Sequence, residues 1–262
     1  MKHDFFLVSS DRGPDRRMEE LERSLSKKER VYSLSSPEDL TKVESPVVIL
    51  PFFIKDERAA ELISMAKRGT PVFAGHLGEE TRKIIDELSL DYTDILDEEG
   101  FCRDNALITA EGALSLIINS TDETLYSMRV AILGYGRIGE RLARMLLSLG
   151  ATVRVFSSNS DELARAKTRG ISACHLWQRE NMDIFRAVVN TVPLRHVIDE
   201  DTLYSLSDSA YILDLASGEN NVNWKVMNSL MLKGEKASSL PSKVSPKSAA
   251  LAVERAIFRH LN

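Results

Sequence analysis

The clearest chemistry in the chain is carried by Gly134-Tyr135-Gly136-Arg137-Ile138-Gly139. Glycines at this G-x-G-x-x-G spacing suit a loop that turns tightly, admits a diphosphate to its backbone and packs a helix closely on a strand. The loop follows the apolar run Val130-Ala131-Ile132-Leu133 and opens an amphipathic stretch from Arg137 to Leu149 that ends at Gly150. A second β-rich run, Thr152 to Phe156, completes a βαβ unit. That setting predicts a nicotinamide dinucleotide with its pyrophosphate on the helix N-terminus.

Cofactor choice is read at the end of the second strand, where an acid commonly accepts hydrogen bonds from the ribose 2′-hydroxyl. Ser157-Ser158-Asn159 stands there instead, and Asp161 and Glu162 read as first-turn residues of the next helix, where its dipole favours them. Hydroxyl and amide donors with Arg137, Arg165 or Lys167 nearby suit a 2′-phosphate, so NADP is expected over NAD. Two further apolar strands finish in polar residues at the same edge. One ends in Asn190-Thr191-Val192-Pro193 and the other in Asp214-Leu215-Ala216-Ser217. Their ends are either cofactor contacts, Ala216 included, or ordinary strand termini.

For the reaction itself, Asn105, Thr109 and Glu111 form one candidate group, either lining a substrate cleft or simply starting a helix. Lys243 and Lys247 are cations able to pair with substrate carboxylates, or to remain solvated. His76 and His196 are candidate acids or bases, or plain surface residues. The five histidines are scattered without metal-ligand spacing, so no metal is expected.

These residues need a scaffold, and its pattern is α/β. The first hundred residues alternate short β-rich runs (Phe5 to Ser9, Val31 to Leu34, Val47 to Phe52, Pro71 to Ala74, Tyr92 to Leu96) with helical stretches, among them Asp56 to Lys67 and Glu80 to Leu88. Asp97 to Gly100 reads as a linker and Ala106 to Ile118 as a connector helix rich in small residues. The expectation is two Rossmann-like domains with parallel sheets: a substrate-side domain over 1–104, a connector over 105–127, a dinucleotide-binding domain over 128–241, and a loop and helix over 242–262. That last helix begins with Ser245 as N-cap and Pro246 at its first position, and is expected to pack back on the first domain.

Composition sets limits on partners. Apolar residues make up 43% and charged residues 28%, an ordinary globular balance, and the formal net charge of -5 comes with no basic block to track a nucleic acid. Two separated cysteines, Cys102 and Cys174, a short apolar N-terminal run and no long apolar segment predict a cytoplasmic protein without membrane contact.

The stretch Asn105 to Ala113, the glycine loop, Asn190 to Pro193, Leu213 to Ser217 and the tail Leu240-Pro241 through Pro246-Lys247-Ser248 resemble, in order, the A subunit of dipicolinate synthase. The resemblance implies NADP-linked oxidation of the cyclic lysine-pathway intermediate to pyridine-2,6-dicarboxylate for the bacterial spore. It also implies a second, flavoprotein-like B subunit, and a homo-oligomer is expected. A small dicarboxylate would then meet Asn105, Thr109, Ser217 and Lys247 in an interdomain cleft. The chain departs from the family at Ser239, Ser242 and Ala250, where glycines are usual, and in the loop Ser9 to Pro14. Two other readings stay open: a reductase of another small carboxylic acid, and a nucleotide-binding partner subunit without catalysis.

Overall fold

A computed structural model describes residues 3–8 and 15–261, so the loop Ser9 to Pro14 lies outside the described residues. The chain divides into two units, Met1–Asn105 with Pro241–Asn262, and Ala106–Leu240.

In the first unit, strands β1 (Asp4–Leu7), β2 (Arg30–Ser33), β3 (Pro46–Ile49), β4 (Pro71–Ala74) and β5 (Asp91–Asp94) alternate with helices α1 (Arg16–Leu25), α2 (Asp56–Ile63) and α3 (Glu79–Leu88). All pairings are parallel and the order is β2-β1-β3-β4-β5, one of the two common doubly wound arrangements. The alternation read from the sequence produces this sheet because β3, buried on both faces, is a continuous apolar run. Helix α1 turns Met18, Leu21 and Leu25 inward, and Asp15 caps its start by accepting from the Arg17 amide at 3.0 Å.

Helix α4 runs from Glu99 to Thr121, longer than the expected connector, and it takes in Glu99 and Gly100, the second half of the segment read as a linker. The cause is local: the Glu98 carboxylate accepts from the Gly100 and Phe101 amides and binds Arg259, while Phe101 is buried. Burial alone would raise the Glu98 carboxyl, but the Arg259 hydrogen bond and the two amides outweigh it and hold it below the usual glutamate range. A folded value below the unfolded one contributes stability above the unfolded pKa of about 4.3, and that contribution disappears as pH falls through the folded value. Glu98→Ala is therefore expected to cost about 1 kcal/mol at neutral pH, with the gap to the parent protein closing in acid unfolding curves. A gap that stayed constant down to pH 3 would contradict the assignment.

The second unit is a six-stranded parallel sheet. Its strands are β6 (Arg129–Leu133), β7 (Thr152–Ser157), β8 (Ser172–His175), β9 (Ala187–Asn190), β10 (Tyr211–Asp214) and β11 (Lys233–Lys236), in the order β11-β10-β9-β6-β7-β8. This is the doubly wound order of dinucleotide-binding sheets, with the switch point between β6 and β9. Helices α5 (Arg137–Ser148), α6 (Ser160–Thr168), α7 (Glu200–Tyr204) and α8 (Trp224–Ser229) complete the unit. Val130, Ile132, Val153, Val155, Leu142 and Leu146 fill one side of the sheet with Tyr135 and the small residues Ala110 and Ala113 of α4. Each fully buried aliphatic side chain of this kind stabilises by about 1.5–3 kcal/mol.

The tail, read as a loop leading into a helix with Pro246 at its first position, begins instead with the short helix α9 (Leu240–Val244), and α10 (Pro246–Leu261) follows as expected. Helix α10 packs back into the first unit as expected, with Ala250, Val253 and Ile257 beside Phe5, Leu21 and Phe101. Its buried Glu254 accepts from the Ser24 hydroxyl of α1 and from Lys28 in the turn after it. Ser239, just before α9, holds a φ of 56° in the left-handed region. Relief of that strain outweighs the chain entropy glycine brings, so Ser239→Gly is expected to stabilise by about 0.5 kcal/mol in thermal melts. Destabilisation would show that the serine side chain matters more than its backbone. Among the described residues, no helix is long and apolar enough to cross a membrane.

Candidate dinucleotide site

Neighbouring strands of the second sheet finish level with one another. Leu133 is in register with Phe156 on one side and Asn190 on the other, and Asn190 with Asp214. The glycine loop leaves this edge directly after Leu133, beside the switch point where ligands of such sheets lie.

Each glycine of the loop has a distinct task. Gly134 has a φ of 91°, its amide donates to Phe156 O at 2.7 Å, and a side chain there would strike the Thr191 hydroxyl. Gly139, in the first turn of α5, faces the Gly134 carbonyl so closely that a Cβ would overlap it. Gly136 is different: among the described residues a Cβ there would meet only Glu162 Oε1, at 3.7 Å. The described residues thus leave the space in front of the Gly136 backbone open, which is the approach a pyrophosphate needs. Tyr135 is fully buried in the core, Arg137 is exposed and Ile138 is half-buried.

Across the switch point, Thr191 donates its amide and hydroxyl to Leu133 O at 2.9 and 2.8 Å. Asn190 is fully buried. Its side-chain amide donates to Asp214 Oδ1 at 2.8 Å and to Val192 O at 3.1 Å, and its carbonyl accepts from the Val192 amide. Asp214, also fully buried, accepts from the Ala216 amide and from Asn221 Nδ2, both at 3.2 Å. Asn221 in turn donates to Ser217 O at 3.1 Å. A single carboxylate therefore fixes both loops, Asn190 to Pro193 and Ala216 to Ser217, that face the site. Sequence reading named Asn190 and Ala216, placed Asp214 only as a polar strand end, and did not name Asn221, which looks like an ordinary turn residue in one dimension.

At the end of β7 the structure departs from the expected 2′-phosphate donors. Asn159 is the N-cap of α6, its Oδ1 taking the Asp161 and Glu162 amides at 2.8 and 3.2 Å. The Ser157 hydroxyl donates to Glu162 Oε2 at 2.6 Å and accepts from the Asn159 amide. Of the three, only Ser158 is simply exposed. Arg165 donates to Tyr135 O at 3.2 Å. Arg169 is held above its usual pKa by hydrogen bonds to the Tyr135 hydroxyl and Glu140.

The candidate reaction residues fall on several elements. Asn105 (half-buried), Thr109 (buried) and Glu111 (exposed) lie along α4, Ser217 is exposed after β10, and Lys247 is exposed in the first turn of α10. Asn105 and Lys247 belong to the first unit, the other three to the second. His196 has a φ of 49° and is half-buried on the loop after β9. His76 Nδ1 pairs with Asp94 at 2.8 Å, and with Asp97 these groups stand close enough to share an ion, a grouping that spacing along the chain does not suggest.

Residues 116–235 match the family described as D-isomer specific 2-hydroxyacid dehydrogenase, NAD binding domain. The A subunit of dipicolinate synthase from Bacillus subtilis (strain 168) is 34% identical over 146 residues, covering 55% of this chain and 49% of that protein. The chain is related to the dipicolinate synthase A subunits. The sequence match spans about half of that relative's length, while the fold agrees throughout. The crystal structure of the Bacillus halodurans A subunit superposes with a TM-score of 0.85 at 22% identity, over 99% of this chain and 97% of that one. The crystal structure of the Bacillus subtilis protein does so at 0.78 and 21%, over 100% and 96%. The matched dehydrogenase domain contains the glycine loop and strands β6 to β10 whole, with all but the last residue of β11, and supports a nicotinamide dinucleotide as the cofactor of that unit.

Proposed function

We propose that this protein is the dehydrogenase component of a dipicolinate synthase, oxidising a dihydrodipicolinate-type ring to pyridine-2,6-dicarboxylate during sporulation. The observation that carries the reading is the open Gly136 backbone at the switch point of a sheet whose chain is related to the dipicolinate synthase A subunits. Gly134 to Gly139 would hold the pyrophosphate, with Asn190 to Pro193 and Ala216 toward the nicotinamide. When bound, the nicotinamide accepts a hydride, and aromatisation of the ring releases one proton to a base. The substrate is a small dianion, for which Lys247 offers a cation and Asn105, Thr109 and Ser217 offer hydrogen bonds, while Glu111 adds a carboxylate on α4. A flavoprotein-like B subunit is the partner on this reading, and the enzyme is a cytoplasmic homo-oligomer. The expected preference for NADP rested on donors that the fold uses elsewhere, Ser157 and Asn159.

The test is to mix the protein with freshly generated dihydrodipicolinate precursor and NAD or NADP, with and without a B-type subunit, and to follow reduced nicotinamide and the pyridine product. Turnover supports the proposal; none under any condition, despite dinucleotide binding, overturns it. The match to the 2-hydroxyacid dehydrogenase domain favours one second reading, reduction of a small 2-oxo acid. The same assay run in reverse with pyruvate separates the two.

A further inference from the structure

No acid stands at the end of β7, where the adenosine ribose of a bound dinucleotide is read. The fold brings one there from the next helix. Glu162 is the third residue of α6, and the Asn159 cap sets the turn that carries it. Its Oε2 accepts from the Ser157 hydroxyl at 2.6 Å and from the Tyr135 amide at 2.9 Å. One carboxylate thus bridges the two features that flank the ribose in a βαβ site: the end of the second strand and the glycine loop. Its other oxygen, Oε1, takes no hydrogen bond from the described residues and faces the open space before Gly136.

We propose that Glu162 accepts the adenosine ribose hydroxyls and makes this protein prefer NAD(H) to NADP(H), an inference resting on the dinucleotide reading above. An ionised carboxylate is an acceptor only, which suits a hydroxyl donor and repels a phosphate dianion. Two of the cations that could offset this repulsion are engaged. Arg165 is held by Tyr135 O and lies 4.0 Å from Glu140, and Arg169 pairs with Glu140. Lys167 is exposed on α6 and Arg137 is exposed on the loop, so the surroundings are not without positive charge. The group fixed on the loop is nonetheless the Glu162 carboxylate, held there by the Tyr135 amide.

The experiment is a pair of fluorescence titrations, NADH and NADPH, on the parent protein and on Glu162→Gln, with melting of the unliganded proteins as a check on folding. The parent is expected to bind NADH roughly 10-fold or more tighter, the worth of one charge-assisted hydrogen bond. Glu162→Gln removes most of that ratio, weakening NADH and strengthening NADPH. A carboxylate that only ties β7 to the loop would weaken both nucleotides alike and leave the ratio unchanged, which would overturn the proposal, as would a parent that binds NADPH equally or better. Should the variant fold poorly, competition on the parent protein decides: AMP must displace NADH better than 2′,5′-ADP does, and the reverse order refutes the role of Glu162. Absence of binding by any nucleotide is a different result, one that removes the dinucleotide reading itself.

Discussion

Gly136→Val is expected to lower dinucleotide affinity by about 100-fold or more while leaving the protein folded. Gly136 has an ordinary φ of -74°, and among the described residues a side chain there meets nothing but one oxygen of Glu162. The fold therefore tolerates valine at the cost of a poorer helix N-cap, about 1 kcal/mol. The ligand does not, because the branched side chain fills the space through which phosphate oxygens reach the amides at the start of α5. Losing two charge-assisted hydrogen bonds at about 1.5–3 kcal/mol each accounts for the affinity change. Titration with NADH beside a thermal melt reads both quantities, and undiminished binding would place the nucleotide elsewhere. Gly139 makes the contrast: any side chain there overlaps the Gly134 carbonyl, so its replacement disturbs the fold as well.

Asp214→Ala is expected to destabilise the second unit by about 3 kcal/mol. The carboxylate is fully buried and is the acceptor shared by Asn190 Nδ2, Asn221 Nδ2 and the Ala216 amide. Its removal leaves these donors short of a partner, at about 1–3 kcal/mol for each buried group left unsatisfied, and opens a cavity at the strand end. Relief from burying a charge offsets part of this. Urea unfolding monitored through the tryptophans measures the change as a lower midpoint at unchanged slope. A loss below about 1 kcal/mol would show that water replaces the carboxylate without penalty. Because the same hub fixes Asn190 to Pro193 and Ala216 to Ser217, the variant is also expected to bind dinucleotide more weakly than its stability alone explains.

What the sequence disclosed was what local pattern determines. The β6-loop-α5-β7 unit was legible because an apolar strand, three glycines with separate tasks and a helix period all point to one structure. So was the parallel sheet of the first unit, and the placing of Pro246 at the start of α10. The edge strands β8 and β11 were not foreseen. Lys233-Gly234-Glu235-Lys236 carries the charges that keep a sheet edge from pairing further, and such a run lacks a strand's apolar alternation. The early start of α4 was hidden because Glu98 acts as a cap through its side chain, a residue type that ordinary cap preferences do not favour. The most consequential miss was Glu162. In one dimension it is an acid in a helix's first turn, placed for the dipole. Only the fold shows its carboxylate on the Tyr135 amide, 27 residues away. Asp214 and Asn221, seven residues apart, likewise become a hub only when their strand and loop meet Asn190.

The most direct test of the account is hydrogen exchange, followed by mass spectrometry, with and without saturating NADH. Binding at the switch point predicts slower exchange in peptides covering Gly134 to Gly139, the end of β7 and Asn190 to Thr191, with Gly136→Val abolishing the effect. Protection confined to other segments, or unchanged exchange in the glycine loop at saturating nucleotide, would contradict it.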